Sequence, residues 1–295
     1  MNLTFTTDVS LAPRQFTIRP ELTATGNDIH VRAHPDLGIF DILDASGARI
    51  GLLMGFPIDL QDRCVLSGPL TVAIPASSEI DAAAEAILDR LGGRFLLLLT
   101  LSGESRVYPD CAAQVPCVYS PEKGMAGSTA DAILSDADYE TLFRHDLYAA
   151  LDIENDGWFP GGLTAHEGIE RLLPNHVLDL RDWSQRRYWP LGDIARTSSP
   201  ESSLEEISRI IRIQLEALLN GPKKIAQALT AGHETRVMLA CARPYLDAIE
   251  FVTKSSKSEL PSRFLSRLKF TFRTQEMSCF EHKECPASNT RNVLL

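Results

Sequence analysis

The sequence lacks an excess of positive charge, and this limits the partners it can bind. Its 29 Lys and Arg are outnumbered by 39 Asp and Glu, which gives a formal net charge of -10 at pH 7. Affinity for a polyanion depends on Lys and Arg side chains that neutralise phosphates. The composition therefore argues against a nucleic-acid surface and favours small-molecule chemistry.

Long apolar runs are also missing. No window approaches the roughly 18 consecutive apolar residues of a membrane-spanning helix. The first residues, from Met1 to Asp8, lack the charged start and apolar run of a signal peptide. We therefore expect a cytoplasmic protein with no membrane partner.

Cysteines are few and are not arranged in pairs. The chain has 6 of them, without the density of a disulfide scaffold and without C-x-x-C spacing. Cys279 and Cys285 lie near His282, but this tail has too few spaced ligands to predict a metal site. We expect reduced thiols with mainly structural roles.

Short apolar or alternating runs separated by Gly, Pro, Asp and Ser dominate the chain up to about residue 190, and they predict strands. A helix is predicted over 80–91, with Gly92 and Gly93 as its stop, and a second helical segment over 136–152. Closely spaced strands mixed with helices indicate a layered α+β domain, which we place at residues 1–192.

A different pattern follows a polar, Ser-rich stretch at 193–203, which we interpret as a linker. A helix is predicted over 204–219, a buried strand over 223–229, a helix over 234–243 and a strand over 248–253. This alternation is typical of a parallel α/β sheet. The second domain is therefore placed at 204–295.

A small-residue turn joins the first strand of this second domain to the following helix. It reads Thr230-Ala-Gly-His-Glu-Thr. The first N–H groups of a helix have no internal partner, so a turn at this position can bind a phosphate, and Thr230 and Thr235 add hydroxyl donors. By itself the motif favours a tight corner, because small residues are common at such turns and no Walker A sequence is present.

The turn resembles the S-G-G-x-D-S pyrophosphate-binding loop of the asparagine synthetase family, with Gly232 as its identical residue. Other stretches follow in the family's order. Gly93-Arg-Phe-Leu-Leu-Leu-Leu, Val107-Tyr-Pro-Asp, Val118-Tyr and Ala126-Gly-Ser resemble elements of its glutaminase-like domain. The stretches beginning at Glu167 and Arg187 resemble the elements that connect its two domains. The resemblance covers about residues 90 to 255.

The resemblance implies an N-terminal nucleophile hydrolase-like layered domain (αββα), followed by a partial α/β PP-loop domain with a parallel sheet. It implies an ATP-dependent ligase that adenylates a small-molecule or peptide carboxylate and then forms an amide with ammonia or an amine. ATP and Mg²⁺ are the implied cofactors, with Glu234 as the residue on the metal. The implied nucleotide-binding residues are Thr230, Ala231, Gly232, Glu234, Thr235 and Arg236.

Two departures from the family pattern concern the glutaminase domain. The family's nucleophile is a cysteine exposed after Met removal, whereas residue 2 here is Asn, which has no nucleophilic side chain. The family's asparagine-glycine element that holds glutamine is reduced to Gly55. We expect glutamine hydrolysis to be lost and Asp110 to brace the domain structurally.

The second domain also departs from the family, because residues 276–295 lack its later S-G-E-G-x-D-E type loop. Three functions stay open: the amide-forming ligase, a non-catalytic scaffold that pairs with an active synthetase, and a truncated remnant of a longer enzyme. A homo-oligomer or a complementing synthetase subunit is a possible partner under the first two.

Overall fold

A computed structural model describes residues 17–23, 26–75, 78–190, 199–221, 223–230, 232–254, 278–280 and 293–294. These residues form two compact units. The first unit contains the described residues between 17 and 59 and between 66 and 190. The second contains residues 60–65 and the described residues from 199 onward. Within these ranges no helix is long and apolar enough to cross a bilayer.

The first unit is built on two sheets, whose strands are numbered here along the chain. The smaller sheet has the order β11-β9-β10-β1-β2, and all its neighbours are antiparallel. The larger sheet has the order β13-β12-β8-β7-β4-β3-β6, antiparallel except for the β3–β6 pair. The strands are β1 (Thr17–Thr23), β2 (Gly26–Arg32), β3 (Gly38–Leu43), β4 (Arg49–Asp59), β6 (Leu70–Thr71), β7 (Leu91–Leu101), β8 (Glu104–Pro109), β9 (Val118–Ser120), β10 (Met125–Gly127), β11 (Glu170–Arg171), β12 (His176–Asp179) and β13 (Ser184–Arg187), and the short strand β5 (Cys64–Val65) belongs to the second unit.

The helices of this unit cover its two outer faces. They are α1 (Ile80–Asp89), α2 (Asp136–Thr141), α3 (His145–Ala150) and α4 (Ile153–Asp156), with a 3-10 turn at Ala130–Ala132. Helix α1 begins where the Glu79 carboxylate accepts the N–H of Ala82 at 2.9 Å. Its apolar residues recur at helical spacing and pack against the larger sheet.

Three apolar clusters define the order of the layers. Alternate residues of β7 face opposite ways, so Leu97 belongs to the cluster with α1 and Leu96 to a cluster shared with the smaller sheet. The shared cluster includes Tyr119 of β9. On the outer face of the smaller sheet, Val118 packs with Ile133 and its neighbours. The layers therefore run helix, sheet, sheet, helical segment, which confirms the predicted layered α+β architecture.

The structure corrects both helices predicted in this unit. Helix α1 stops at Asp89, two residues before its predicted end, because Leu91 opens β7. Gly93 is a strand residue with φ of 86°, where an added Cβ would lie 2.3 Å from the Phe56 carbonyl oxygen. The segment 136–152 contains the two short helices α2 and α3 instead of one, and Asp152, at its end, has a left-handed φ of 50°.

Helix α5 (Pro200–Leu219) is the first helix of the second unit. The Ser199 hydroxyl accepts the Ser202 N–H at 3.1 Å and caps it. The last residues of the predicted linker, from 200 to 203, are thus helical, because this cap lies upstream of the apolar stripe. Asn220 caps the end of the helix, directly after the predicted last residue 219.

A parallel sheet follows, with the order β16-β15-β14-β17. Its elements are β14 (Ile225–Ala228), helix α6 (His233–Ala242), a 3-10 segment (Arg243–Ala248), β15 (Ile249–Lys254), β16 (Ser278–Phe280) and β17 (Val293–Leu294). The predicted strand, turn, helix and parallel strand are therefore present. Among the described residues, Cys64, Cys111, Cys117 and Cys241 form no disulfide, in line with the prediction of reduced thiols, whereas His282 and Cys285 lie outside the described residues.

A partly buried charge network ties α1 to the larger sheet. One carboxylate oxygen of Asp81 accepts hydrogen bonds from the Tyr108 hydroxyl at 2.6 Å and from the Arg106 guanidinium at 2.8 Å, and Arg186 binds the other oxygen. Burial by itself would raise the pKa of Asp81. The three hydrogen bonds outweigh burial and hold this pKa below its ordinary value of 3.8.

A lowered pKa makes this network sensitive to acid. The stabilisation by the Asp81 carboxylate is complete above the ordinary pKa and is lost as the pH falls through the lowered pKa. Asp81→Asn should therefore reduce the free energy of unfolding by about 2 kcal/mol at neutral pH and by less in acid. Urea unfolding at pH 7 and at about pH 3 measures this difference. A difference that stays constant between the two pH values would contradict the expectation.

Candidate functional site

The turn from residue 229 to residue 232 lies at the carboxyl edge of the parallel sheet. Strand β14 ends at Ala228, the Leu229 N–H donates to the Val252 carbonyl at 2.8 Å, and α6 begins at His233. Because β14 and β15 are parallel, the turn between them lies at their carboxyl ends. Open parallel sheets bind ligands at this edge.

Gly232 leaves the start of α6 open. It is the N-cap residue, with φ of -67° and ψ of 158°, and no side chain caps the helix there. A Cβ added at Gly232 would lie 3.0 Å from a Glu234 carboxylate oxygen and 3.1 Å from the Thr230 hydroxyl oxygen. A side chain at position 232 would therefore crowd the Thr230 hydroxyl and the Glu234 carboxylate beside the helix N-terminus.

The two threonine hydroxyls of the turn lie together, with their oxygens 3.1 Å apart. The Thr235 hydroxyl is 3.1 Å from the Thr230 carbonyl oxygen and 3.2 Å from that of Gly232, so it closes the turn. The Gly232 N–H donates to the Thr230 hydroxyl at 3.1 Å. Two N–H groups of the turn, those of Thr230 and Gly232, therefore already donate to these hydroxyls, and the two hydroxyls lie side by side.

Arg236 folds back over the first turn of α6. Its Nε donates to the Gly232 carbonyl at 3.3 Å, and its Nη2 lies 2.7 Å from Nδ1 of His233. Glu234 is exposed on the same turn. The predicted site residues Thr230, Gly232, Glu234, Thr235 and Arg236 are thus brought together, and Ala231 lies outside the described residues.

Gln227, in the strand that leads to the turn, was missed by the sequence analysis. It is 2% exposed, and neither its Oε1 nor its Nε2 has a hydrogen-bond partner among the described residues. A buried polar group without a partner costs about 1–3 kcal/mol. The feature that could have identified it is that its side-chain amide interrupts an otherwise apolar buried run from Ile225 to Leu229.

Carboxylates that could hold a metal ion are sparse in this region. Across the described parts of the chain, no three His, Cys, Asp or Glu side chains are grouped closely enough to coordinate an ion. At the turn itself, Glu234 is the carboxylate on the first turn of α6. A divalent ion there would need further oxygen ligands from a bound phosphate or from water.

Asp110 has the structural role expected from the sequence. It is 2% exposed, and its carboxylate accepts the backbone N–H groups of Phe95 at 3.2 Å, Ala112 at 3.0 Å, Gln114 at 3.0 Å and Val115 at 3.4 Å. These bonds fix the loop after β8 onto β7. The nucleophile position discussed for residue 2 lies outside the described residues.

The described residues thus form a layered α+β unit and a parallel α/β unit with a glycine at its strand-to-helix turn. No family model matches the chain, and no curated protein matches it. A solved structure of glutamine phosphoribosylpyrophosphate amidotransferase from B. subtilis, complexed with ADP and GMP, is similar to 81% of this chain, with 10% identity and a TM-score of 0.25. The match covers 59% of that amidotransferase chain. A likeness at this level does not assign a family.

Proposed function

We propose that the second unit binds the phosphates of ATP at the turn between β14 and α6, and that the protein is an asparagine synthetase-like, ATP-dependent amide-forming ligase. In such a ligase a carboxylate is adenylated and is then attacked by ammonia or an amine. The observation that carries the proposal is the glycine-capped start of α6, beside two threonine hydroxyls whose oxygens are 3.1 Å apart. The resemblance of this turn to the family's pyrophosphate loop supplies the reaction class.

The residues of the turn fit a polyphosphate. The N–H groups at the start of α6 and the positive end of its dipole stabilise an anion. The Arg236 guanidinium, held over the same turn, adds a positive charge. Gly232 keeps the space that phosphate oxygens need, because a Cβ at this position would crowd Thr230 and Glu234.

The Glu234 carboxylate makes the binding of ATP depend on a metal ion. Its carboxylate lies beside Gly232 and would repel a polyphosphate in the absence of a cation. Mg²⁺ prefers carboxylate and phosphate oxygens, so an ion between Glu234 and the phosphates would turn this repulsion into attraction. ATP should therefore bind only when Mg²⁺ is present.

Calorimetric titration with ATP tests the proposal. We expect the wild-type chain to bind Mg-ATP weakly, with a Kd of ~1 mM, and to show no binding when EDTA removes the metal ion. Gly232→Val should abolish binding, because the valine side chain occupies the space over the helix start. Gly221→Ala, at the end of α5, is the matched control for a glycine replacement elsewhere in the same unit.

Equal binding of Mg-ATP by wild type and Gly232→Val would refute the phosphate site. The capped Gly232 N–H would then mark the turn as a corner of the fold. In that case a non-catalytic scaffold becomes the better functional assignment.

A further inference from the structure

The first unit contains an open cleft of about 980 Å³ over the outer face of its smaller sheet. Two segments line it, residues 141–144 with 146, and residues 160–164 with 166–170. They are joined where the Arg144 N–H donates to the Ala165 carbonyl at 2.8 Å and the Glu167 N–H donates to the Leu142 carbonyl at 2.9 Å. The cleft is thus a built feature of the fold. We call it the 141–170 cleft.

Negative charge is concentrated around this cleft. Residues 131–170 contain ten Asp and Glu but a single Arg. Asp146, Glu167 and Glu170 line the cleft, together with Arg144. A cationic ligand is therefore favoured there over an anionic one.

Apolar side chains form part of the cleft and of its surroundings. Leu163 lines the cleft and is 39% exposed, and Trp158, two residues before the lining residue Pro160, is 61% exposed. A second guanidinium, that of Arg171, holds this loop by donating to the carbonyls of Phe159 at 2.8 Å and Gly161 at 2.7 Å. A ligand with an apolar part next to its cation would cover these exposed surfaces.

His166 has a ring nitrogen to which no group among the described residues donates a hydrogen bond. It is 4% exposed, lines the cleft, and packs against the rings of Tyr139 and Phe143, with centroids 4.1 and 5.4 Å away. Burial lowers its pKa, and its ring donates a hydrogen bond to the Tyr139 backbone. The other nitrogen, Nε2, has no partner among the described residues. In the neutral ring this nitrogen is an acceptor.

We propose that the 141–170 cleft binds a lysine-bearing peptide segment of another protein. The Lys ammonium would donate to Nε2 of His166 and lie near the carboxylates of Asp146 and Glu167, while an adjacent apolar residue packs on Leu163 and Trp158. A peptide fits better than a free amine because it covers the exposed apolar side chains as well as the charged ones. This site lies wholly within the first unit and does not depend on the nucleotide proposal.

Fluorescence anisotropy with a labelled hexapeptide of alternating leucine and lysine tests this assignment. Wild type should bind it, and should not bind the same peptide with glutamine at the lysine positions. The double variant Asp146→Asn/Glu167→Gln should bind about fivefold more weakly. His166→Phe keeps the ring packing and should weaken binding about tenfold, because it removes the acceptor.

A matched control removes two exposed charges outside the cleft. Glu154→Gln/Asp156→Asn should leave binding within twofold of wild type. If this control weakens binding as much as the cleft double variant, general attraction to the acidic surface explains the result and the proposal fails. It also fails if His166→Phe binds as tightly as wild type, or if an equal concentration of spermidine displaces the peptide completely.

Discussion

Replacing Asp110 by alanine should lower the free energy of unfolding by about 3–5 kcal/mol. The Asp110 carboxylate is buried and accepts four backbone N–H groups, among them those of Phe95 in β7 and Val115. Hydrogen bonds to a charged group contribute about 1.5–3 kcal/mol each, and the N–H groups left without an acceptor cost further free energy.

Urea unfolding of the wild type and Asp110→Ala measures this loss. Asp182→Ala is the matched control, because Asp182 is exposed and accepts the N–H of Ser184 at 3.0 Å and its hydroxyl at 2.7 Å within one turn. It should cost less than about 1 kcal/mol. Similar losses in the two variants would show that burial and the bonds across the loop do not set the effect.

Arg90→Met should destabilise the first unit by a comparable amount, about 3–5 kcal/mol. Asp59 at the end of β4 is 1% exposed, and the Arg90 guanidinium binds it through Nε at 3.0 Å and Nη2 at 2.5 Å. Methionine keeps the length of the side chain but leaves the carboxylate buried without this cation. Breaking a buried pair from one side is costly for that reason.

The exposed pair of Arg49 and Asp41 provides the comparison. Their charged atoms are 3.5 Å apart, and solvent reaches 67% and 45% of their side chains. Arg49→Met should change the free energy of unfolding by less than about 1 kcal/mol, because water screens this pair. If Arg90→Met proves equally mild in the same denaturation experiment, the Asp59 carboxylate is sufficiently stabilised by other groups.

Periodicity in the sequence predicted the elements that are apolar on one or both sides. The run from Phe95 to Leu99 indicated a buried strand, and β7 is buried on both faces. The spacing of Ile80, Ala84 and Ile87 indicated α1. The predicted end of α1 was wrong because Leu91 suits both a helix face and a buried strand. The local sequence does not distinguish these two environments.

The sequence predicted the turn between β14 and α6 but not the hydrogen bonds within it. A small-residue turn between a strand and a helix indicated where the Thr230 and Thr235 hydroxyls would lie. The hydrogen bond from the Gly232 N–H to the Thr230 hydroxyl depends on the rotamer of Thr230, and the spacing of residues in the sequence does not determine that rotamer. The 141–170 cleft was not predicted at all, because Phe143 and His166 meet through a bridge between segments that are distant along the chain.

Strand β13 is the edge of the larger sheet beyond β12, and its sequence bears on self-association. An edge strand presents unpaired backbone groups, which can pair with the edge of a neighbouring molecule. Arg186 and Arg187 place positive charge along this edge, and charged side chains on an edge strand oppose its pairing with a second molecule.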